Sequence, residues 1–183
     1  MRIIGGEFRG RRLADLGKGD SDAHLRPTAD RVRESLFNIL GSFDVLPGAR
    51  VLDLFAGTGA LGLEALSRGA ASVTFVENGR VALGLLRQNI ALCKAEAKTQ
   101  VIARDARRLG SCPGAGFDLV FLDPPYGKAL GEAALAAELA GGWIAPGATV
   151  VWEESATITP PDGLSLVEER HYGDTVIRFL ERT

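Results

Sequence analysis

The segment Asp123-Pro124-Pro125-Tyr126 contains the residue types with the most specific chemistry in this sequence. Two successive prolines fix the backbone and cannot extend a sheet, so the carbonyl of Pro124 has a set direction beside the carboxylate of Asp123. An exocyclic amine donating to both oxygens would turn its lone pair toward a methyl donor, while Tyr126 offers a flat face to a base. We therefore expect Asp123, Pro124 and Tyr126 to be catalytic, although the same residues also suit a rigid turn with a buried tyrosine.

A glycine-rich loop lies further upstream, between an apolar run and a predicted helix. Gly57, Gly59 and Gly62 have the G-x-G-x-x-G spacing, which lets a ligand approach the backbone and lets a helix start against a sheet. Asp53 precedes this loop, and its charge would oppose the pyrophosphate of a dinucleotide at the helix N-terminus. The same charge attracts an ammonium and a sulfonium, so S-adenosyl-L-methionine fits better than NAD.

Two more acidic residues follow the next two predicted strands. Glu77 is suited to accept hydrogen bonds from both hydroxyls of a ribose, and Asp105 is suited to accept one from an adenine amino group. Each acid alone could equally be a turn cap or a solvated loop residue. Three acids at three consecutive strand ends predict one ligand site at the carboxyl edge of a sheet.

Alternating strands and helices must position these residues. A helix is predicted after Thr28 as N-cap, with Val32, Leu36 and Leu40 on one face. Further helical patterns follow the first, second and fourth strands, the last of them covering roughly residues 128–140. This alternation favours a doubly wound, Rossmann-like, mostly parallel sheet. The predicted strands are Val51–Phe55, Ser72–Val76, Gln100–Ala103, Phe117–Leu122 and Thr149–Trp152.

The two ends of the chain depart from this alternation. Leu164–Tyr172 and Thr175–Leu180 are joined at Gly173-Asp174, which predicts an antiparallel C-terminal hairpin. At the N-terminus we expect a short hairpin around Gly10, followed by a polar linker over residues 16–24. The predicted fold class is thus α/β with a small N-terminal hairpin and helix extension.

The charge distribution is uneven. The 183 residues have a net charge of −2, which is not typical of a protein that coats nucleic acid. Residues 1–12 nevertheless hold four arginines against Glu7 alone, and arginine suits bidentate contacts to phosphate. A solvated basic surface is the simpler interpretation. The arginines concerned are Arg2, Arg9, Arg11 and Arg12, with Arg26, Arg31 and Arg33 following.

Composition excludes several other classes. Only Cys93 and Cys112 are present, the first residues lack the apolar stretch of a secretory signal, and no apolar run could span a bilayer. These features favour a reducing compartment, the cytoplasm. His24 and His171 are far apart and have no ligand-like spacing to other residues, so we expect no metal site.

Four segments together resemble one family, the bacterial small-subunit (16S) ribosomal RNA guanine-N2 methyltransferases of the RsmD type. The first two are the more specific, whereas the last two are shared across the larger class of S-adenosylmethionine-dependent methyltransferases. The segments are Met1–Gly6 (MRIIGG), Arg26–Glu34 (RPTADRVRE), Val51–Gly62 (VLDLFAGTGALG) and Asp123–Tyr126 (DPPY).

The resemblance implies methyl transfer from S-adenosyl-L-methionine to N2 of one guanine in small-subunit ribosomal RNA. It implies a methyltransferase domain at 41–183 and an RNA-binding extension at 1–40 that uses Arg2, Arg9, Arg11, Arg12, Arg26 and Arg31. The expected cofactor contacts are Asp53, Phe55, Gly57, Gly59, Glu77, Asn78, Asp105 and Ala106.

The acidic net charge favours an assembling or assembled 30S subunit as the partner, and we expect a monomer. The alternatives are an amino-group methyltransferase acting on DNA adenine or on a protein glutamine amide, and a non-catalytic RNA-binding assembly factor. A nicotinamide dehydrogenase is disfavoured by Asp53.

Overall fold

A computed structural model describes residues 1–16 and 28–183 of the protein. A seven-stranded sheet with the order β3-β2-β1-β4-β5-β7-β6 forms its centre. Strands β1 to β5 pair in parallel, whereas β7 runs antiparallel to both β5 and β6, which confirms the predicted fold class. The strands are β1 Arg50–Leu54, β2 Ser72–Val76, β3 Thr99–Ile102, β4 Phe117–Leu122, β5 Ile144–Glu154, β6 Leu164–Tyr172 and β7 Thr175–Arg182.

Helices cover both faces of this sheet. They are α1 Asp30–Ser42, α2 Ala60–Ser67, α3 Arg80–Leu92 and α4 Leu130–Ala140, with a 3-10 turn at Glu96–Lys98. Buried residues of α1, α2 and α3 pack on one face, and those of α4 pack on the other, so each face has its own apolar core. None of the helices in the described part of the chain is long and apolar enough to cross a membrane.

The N-terminal segment packs into the first of these cores. Ile3, Phe8 and Leu13 are buried together with side chains of α1, α2 and α3. The two arms of the predicted hairpin around Gly10 pair through an antiparallel bridge between Arg2 and Arg12 and through backbone hydrogen bonds such as that from Ile3 N–H to the Arg11 carbonyl at 2.9 Å. Two buried side chains of the helices bond further backbone groups of the segment.

The first of these side chains is the carboxylate of Glu64 in α2, which is fully buried. It accepts the backbone N–H groups of Ile4 and Gly5, each at 2.9 Å, and the guanidinium of Arg68 at 2.8 Å. The second is Asn89 in α3, whose amide bonds both the N–H and the carbonyl of Ala14. The segment is thus fixed to the helices by buried hydrogen bonds as well as by apolar packing.

Helix α1 differs from its predicted form at its start and on its inner face. Thr28 is not the N-cap: the helix begins at Asp30, and the Thr28 hydroxyl donates to Glu153 at 3.0 Å instead. Leu36 and Leu40 are buried as expected, but Val32 is only partly buried. Arg33, grouped above with the surface arginines, is completely buried.

The glycine-rich loop joins β1 to α2 by close packing. Gly59 has φ 81° at the N-cap position of α2, and a Cβ there would come within 2.4 Å of Leu86. A Cβ on Gly62 would come within 2.4 Å of Phe75 in β2. These two glycines therefore let α2 start directly against the sheet, as the spacing predicts.

Candidate active site

One cavity of about 550 Å³ opens at the carboxyl ends of β1, β2 and β4. Its volume is that of a typical small-molecule site. Ten of the eleven residues predicted for cofactor binding and catalysis line it: Asp53, Phe55, Gly57, Glu77, Asn78, Asp105, Ala106, Asp123, Pro124 and Tyr126. Gly59 is the exception: it is buried beside Leu86 and does not line the cavity, so its cofactor contact stays a prediction.

Asp53 is the most buried acid of the cavity, with a relative exposure of 1%. Its Oδ2 accepts the backbone N–H of Gly62 at 3.0 Å. Burial raises the pKa of this carboxyl to about 8, against the lowering effect of the Gly62 hydrogen bond, and the nearby charge of Glu77 adds to the rise. A cation bound at this position would offset the free-energy cost of burying an ionised carboxylate.

The carboxylate of Glu77 is hydrogen-bonded to the backbone of the glycine-rich loop. Its Oε2 accepts the N–H of Gly57 at 2.8 Å, and its Oε1 accepts the N–H groups of Asn78 and Gly79. The N–H of Gly59 bonds the Ala56 carbonyl at 2.8 Å. The loop therefore presents a negative charge to the cavity where a dinucleotide-binding loop presents free amides, which disfavours a pyrophosphate.

Asp105 follows β3 and lines the cavity beside Ala106. Arg107 holds its carboxylate with the side-chain Nε at 3.0 Å, Nη2 at 2.6 Å and its own backbone N–H at 2.9 Å. These hydrogen bonds lower the pKa of Asp105 to about 2, so the group stays ionised across the physiological range. Asn78 is exposed at the rim, and Phe55 adopts a left-handed backbone conformation with φ 56° directly after β1.

Asp123 and Pro124 follow β4 and line the same cavity as Asp53. Burial raises the pKa of the Asp123 carboxyl well above its ordinary value, and the charges of Glu153, Asp53 and Glu154 add to the effect. No protein donor bonds its oxygens among the described residues, so the carboxylate is free to accept from a ligand. A raised pKa also makes this carboxylate a better proton acceptor.

Tyr126 lines the same cavity as Asp123. Its hydroxyl donates to Oε1 of Glu153 at 2.8 Å and lies 3.2 Å from the hydroxyl of Thr175. The second oxygen of Glu153 accepts the Thr28 hydroxyl. The sequence analysis missed Glu153 and Thr175, although Glu153 is also an acid near the carboxyl end of a sheet strand, the signal that identified Asp53, Glu77 and Asp105.

The predicted RNA-binding arginines are not equivalent in the structure. Arg2, Arg9, Arg12 and Arg31 are exposed, with Arg2 within 3.7 Å of Asp30. Arg11 is only partly exposed, because its guanidinium lies 5.0 Å from the ring centre of Phe8 and donates to the Leu92 carbonyl. Arg26 lies outside the described residues.

Arg33 belongs to an internal network and cannot reach RNA. Its Nη2 donates to the Arg2 carbonyl at 2.7 Å and to Asp30 at 2.5 Å, and its Nη1 lies 3.6 Å from Glu64. The described residues contain no group of three or more His, Cys, Asp or Glu side chains arranged to hold a metal ion.

Comparison with known proteins places these features in a family. A family model described as conserved hypothetical protein 95 matches residues 1–181. The chain is 40% identical over 185 residues to "Ribosomal RNA small subunit methyltransferase D" of Escherichia coli K12, covering all of this chain and 90% of that protein. It is 36% identical over 186 residues to the protein of the same name in Haemophilus influenzae, covering 99% and 93%. The solved structure of E. coli yhhF superimposes with a TM-score of 0.86 at 40% identity, covering 100% and 97% of the two chains.

Proposed function

The chain belongs to the family described as conserved hypothetical protein 95, the RsmD-type methyltransferases, and from that premise we propose its reaction. It transfers a methyl group from S-adenosyl-L-methionine to the exocyclic N2 amine of a guanine in small-subunit ribosomal RNA. One observation carries the proposal: a single cavity joins Asp53, Glu77 and Asp105 to Asp123 and Tyr126. The residues expected to hold the cofactor and those expected to hold the acceptor thus line the same cavity.

The acids of the cavity fit S-adenosyl-L-methionine by their chemistry. Asp53 would hold the ammonium, Glu77 the ribose hydroxyls and Asp105 the adenine amino group. The backbone of Phe55, Gly57, Asn78 and Ala106 would complete the wall. When bound, the cofactor supplies an electrophilic methyl group on a sulfonium. The pairing of Glu77 with the Gly57 amide supports this cofactor over a dinucleotide.

The acceptor residues align the amine and remove its proton. Asp123 and the Pro124 carbonyl accept hydrogen bonds from the two N–H groups of N2, while the ring of Tyr126 packs against the base. Once methylated, the amine would be acidic, and a carboxylate oxygen of Asp123 would accept its proton. The raised pKa of Asp123 supports this role. Alignment and electrostatic preorganisation supply the rate enhancement.

The exposed arginines Arg2, Arg9, Arg12 and Arg31 would hold phosphates and set the register of the RNA without reading its sequence. The remaining parts of the proposal are an assembling or assembled 30S subunit as the substrate, a monomeric enzyme in the cytoplasm, no metal requirement, and RNA recognition centred on residues 1–40. The net charge of −2 supports the subunit over free RNA.

An acceptor assay tests the reaction. Protein and labelled S-adenosyl-L-methionine are incubated separately with 30S subunits, naked 16S RNA, DNA and bulk protein, and the product nucleosides are identified by mass spectrometry. We expect N2-methylguanosine from the RNA samples, with subunits methylated faster than naked RNA. Asp123→Ala should lower kcat about 100-fold or more with cofactor affinity retained. Label in DNA adenine or protein glutamine, or no label anywhere, would refute the proposed reaction.

A further inference from the structure

Glu153 is a charged group that contacts Tyr126 of the Asp123–Tyr126 segment from another element of the fold. It lies near the end of β5, half-buried, and each of its two oxygens accepts a hydroxyl: Oε1 from Tyr126 at 2.8 Å and Oε2 from Thr28 at 3.0 Å. A hydrogen bond to a carboxylate is shorter and stronger than one between neutral groups. The Tyr126 ring is therefore fixed at both ends, by the backbone after Pro125 and by its hydroxyl.

A neutral acceptor would be enough for a tyrosine that only packs in a core. Thr175 already provides one, 3.2 Å from the Tyr126 hydroxyl. Glu153 instead adds a negative charge near the partly exposed Asp123, beside the charges of Asp53 and Glu154. Neighbouring like charges destabilise a folded protein, and such arrangements are concentrated at functional sites.

We propose that Glu153 is a positioning residue for methyl transfer, which acts by holding the Tyr126 ring at the acceptor side of the cavity. This inference rests on the proposed function. Glu153 does not line the cavity and would contact neither the base nor the cofactor. Its direct contact with the acceptor residues is the hydrogen bond from the Tyr126 hydroxyl, and its charge also acts on Asp123. A kinetic test must therefore measure the coupling between Glu153 and Tyr126.

The test is a double-mutant cycle on kcat with saturating cofactor and 30S subunits. Tyr126→Phe keeps the ring and removes the hydroxyl, whereas Glu153→Ala removes the acceptor. Each should lower kcat about tenfold or more, and the double variant should be no slower than the slower single one, because both remove the same interaction. Glu153→Gln, which keeps an acceptor oxygen, should fall between Glu153→Ala and the unchanged protein. Glu181→Ala, at an exposed glutamate of the adjacent β7, should not change kcat.

Two further readouts separate positioning from folding. The cofactor Kd and the melting temperature should change little in Glu153→Gln and Tyr126→Phe. If Glu153→Ala does not fold, Glu153→Gln takes its place in the cycle with Tyr126→Phe. Multiplicative losses of kcat in the double variant, or full activity of Glu153→Ala, would overturn the inference. If the unchanged protein methylates no RNA, the proposed function itself fails, and the two failures are thereby distinguished.

Discussion

Asp53→Asn should remove most of the pH dependence of cofactor binding. The asparagine keeps an oxygen that can accept the Gly62 N–H and keeps the size of the side chain, but it has no charge. In the native protein, the carboxyl has a pKa of about 8 because it is buried. Binding of an ammonium at this position therefore requires Asp53 to lose a proton at neutral pH.

The size of the effect follows from that pKa and from the titration of the ligand. Two pH units below about 8, roughly 1% of Asp53 is ionised, so the cofactor Kd should rise about tenfold per pH unit between pH 8 and pH 6. Above pH 8 the ammonium of the ligand itself deprotonates, since an α-amino group has a pKa of about 8. The affinity should accordingly be highest near pH 8 and fall on both sides.

Calorimetric titration of the protein with S-adenosyl-L-methionine from pH 6 to pH 9, in two buffers of different ionisation enthalpy, measures Kd and the protons released. We expect proton release at pH 7 in the native protein and almost none in Asp53→Asn. Asp105→Asn is the matched control: the pKa of Asp105 is about 2, so this variant should keep the steep rise of Kd below pH 8. A native Kd that is constant from pH 6 to pH 8 would refute the reasoning.

Two other predictions concern RNA binding and stability. Arg9→Glu combined with Arg12→Glu should weaken binding to 16S RNA and reduce the slope of log K against log salt by about 1 to 2. Lys98→Glu, at an exposed basic residue outside 1–40, should leave the slope unchanged; an unchanged slope in the double variant would contradict the proposed phosphate contacts. Glu64→Ala should destabilise the fold by about 3–5 kcal/mol and lower Tm by about 6–20 °C in a thermal melt. The change leaves the N–H groups of Ile4 and Gly5 without their acceptor and removes the buried negative charge beside Arg33; a Tm as high as that of the exposed-site control Glu96→Ala would contradict this.

The elements that sequence alone predicted best are those whose pattern is local. The bounds of Ser72–Val76 and Phe117–Leu122 match β2 and β4, because β-branched and aromatic runs with flanking turns define such strands without outside help. The C-terminal hairpin at Gly173 was also confirmed. β5 is longer than the predicted Thr149–Trp152, since Gly147, with φ 77°, is accommodated within the strand beside a shift in its register with β4.

The residues of the candidate site also differ in whether the sequence could predict their contacts. Asp53, Glu77 and Asp105 could be predicted to meet because the topology of a parallel sheet brings its strand ends to one edge. Glu153 could not be paired with Tyr126 and Thr28, which are 27 and 125 residues away in sequence. Contacts of this kind depend on side-chain packing across elements, which no short-range pattern records.

Arg33 was misread for the same reason. An arginine in a basic stretch is usually exposed, and its neighbour Arg31 is. Arg33 is buried because Glu64, more than 30 residues away, and the Arg2 carbonyl provide internal partners. A buried charge is tolerated only with such partners, and they become visible only in the folded chain.

The way residues 1–16 are held determines how their proposed role in RNA recognition can be tested. Deleting them would leave the space of Ile3, Phe8 and Leu13 empty and would strip Glu64 of its backbone donors. It would also free the Asn89 amide, which bonds Thr58 of the glycine-rich loop in addition to Ala14. Truncation would thus disturb the apolar core and the glycine-rich loop as well as remove positive charge, whereas point changes at exposed arginines test RNA binding alone.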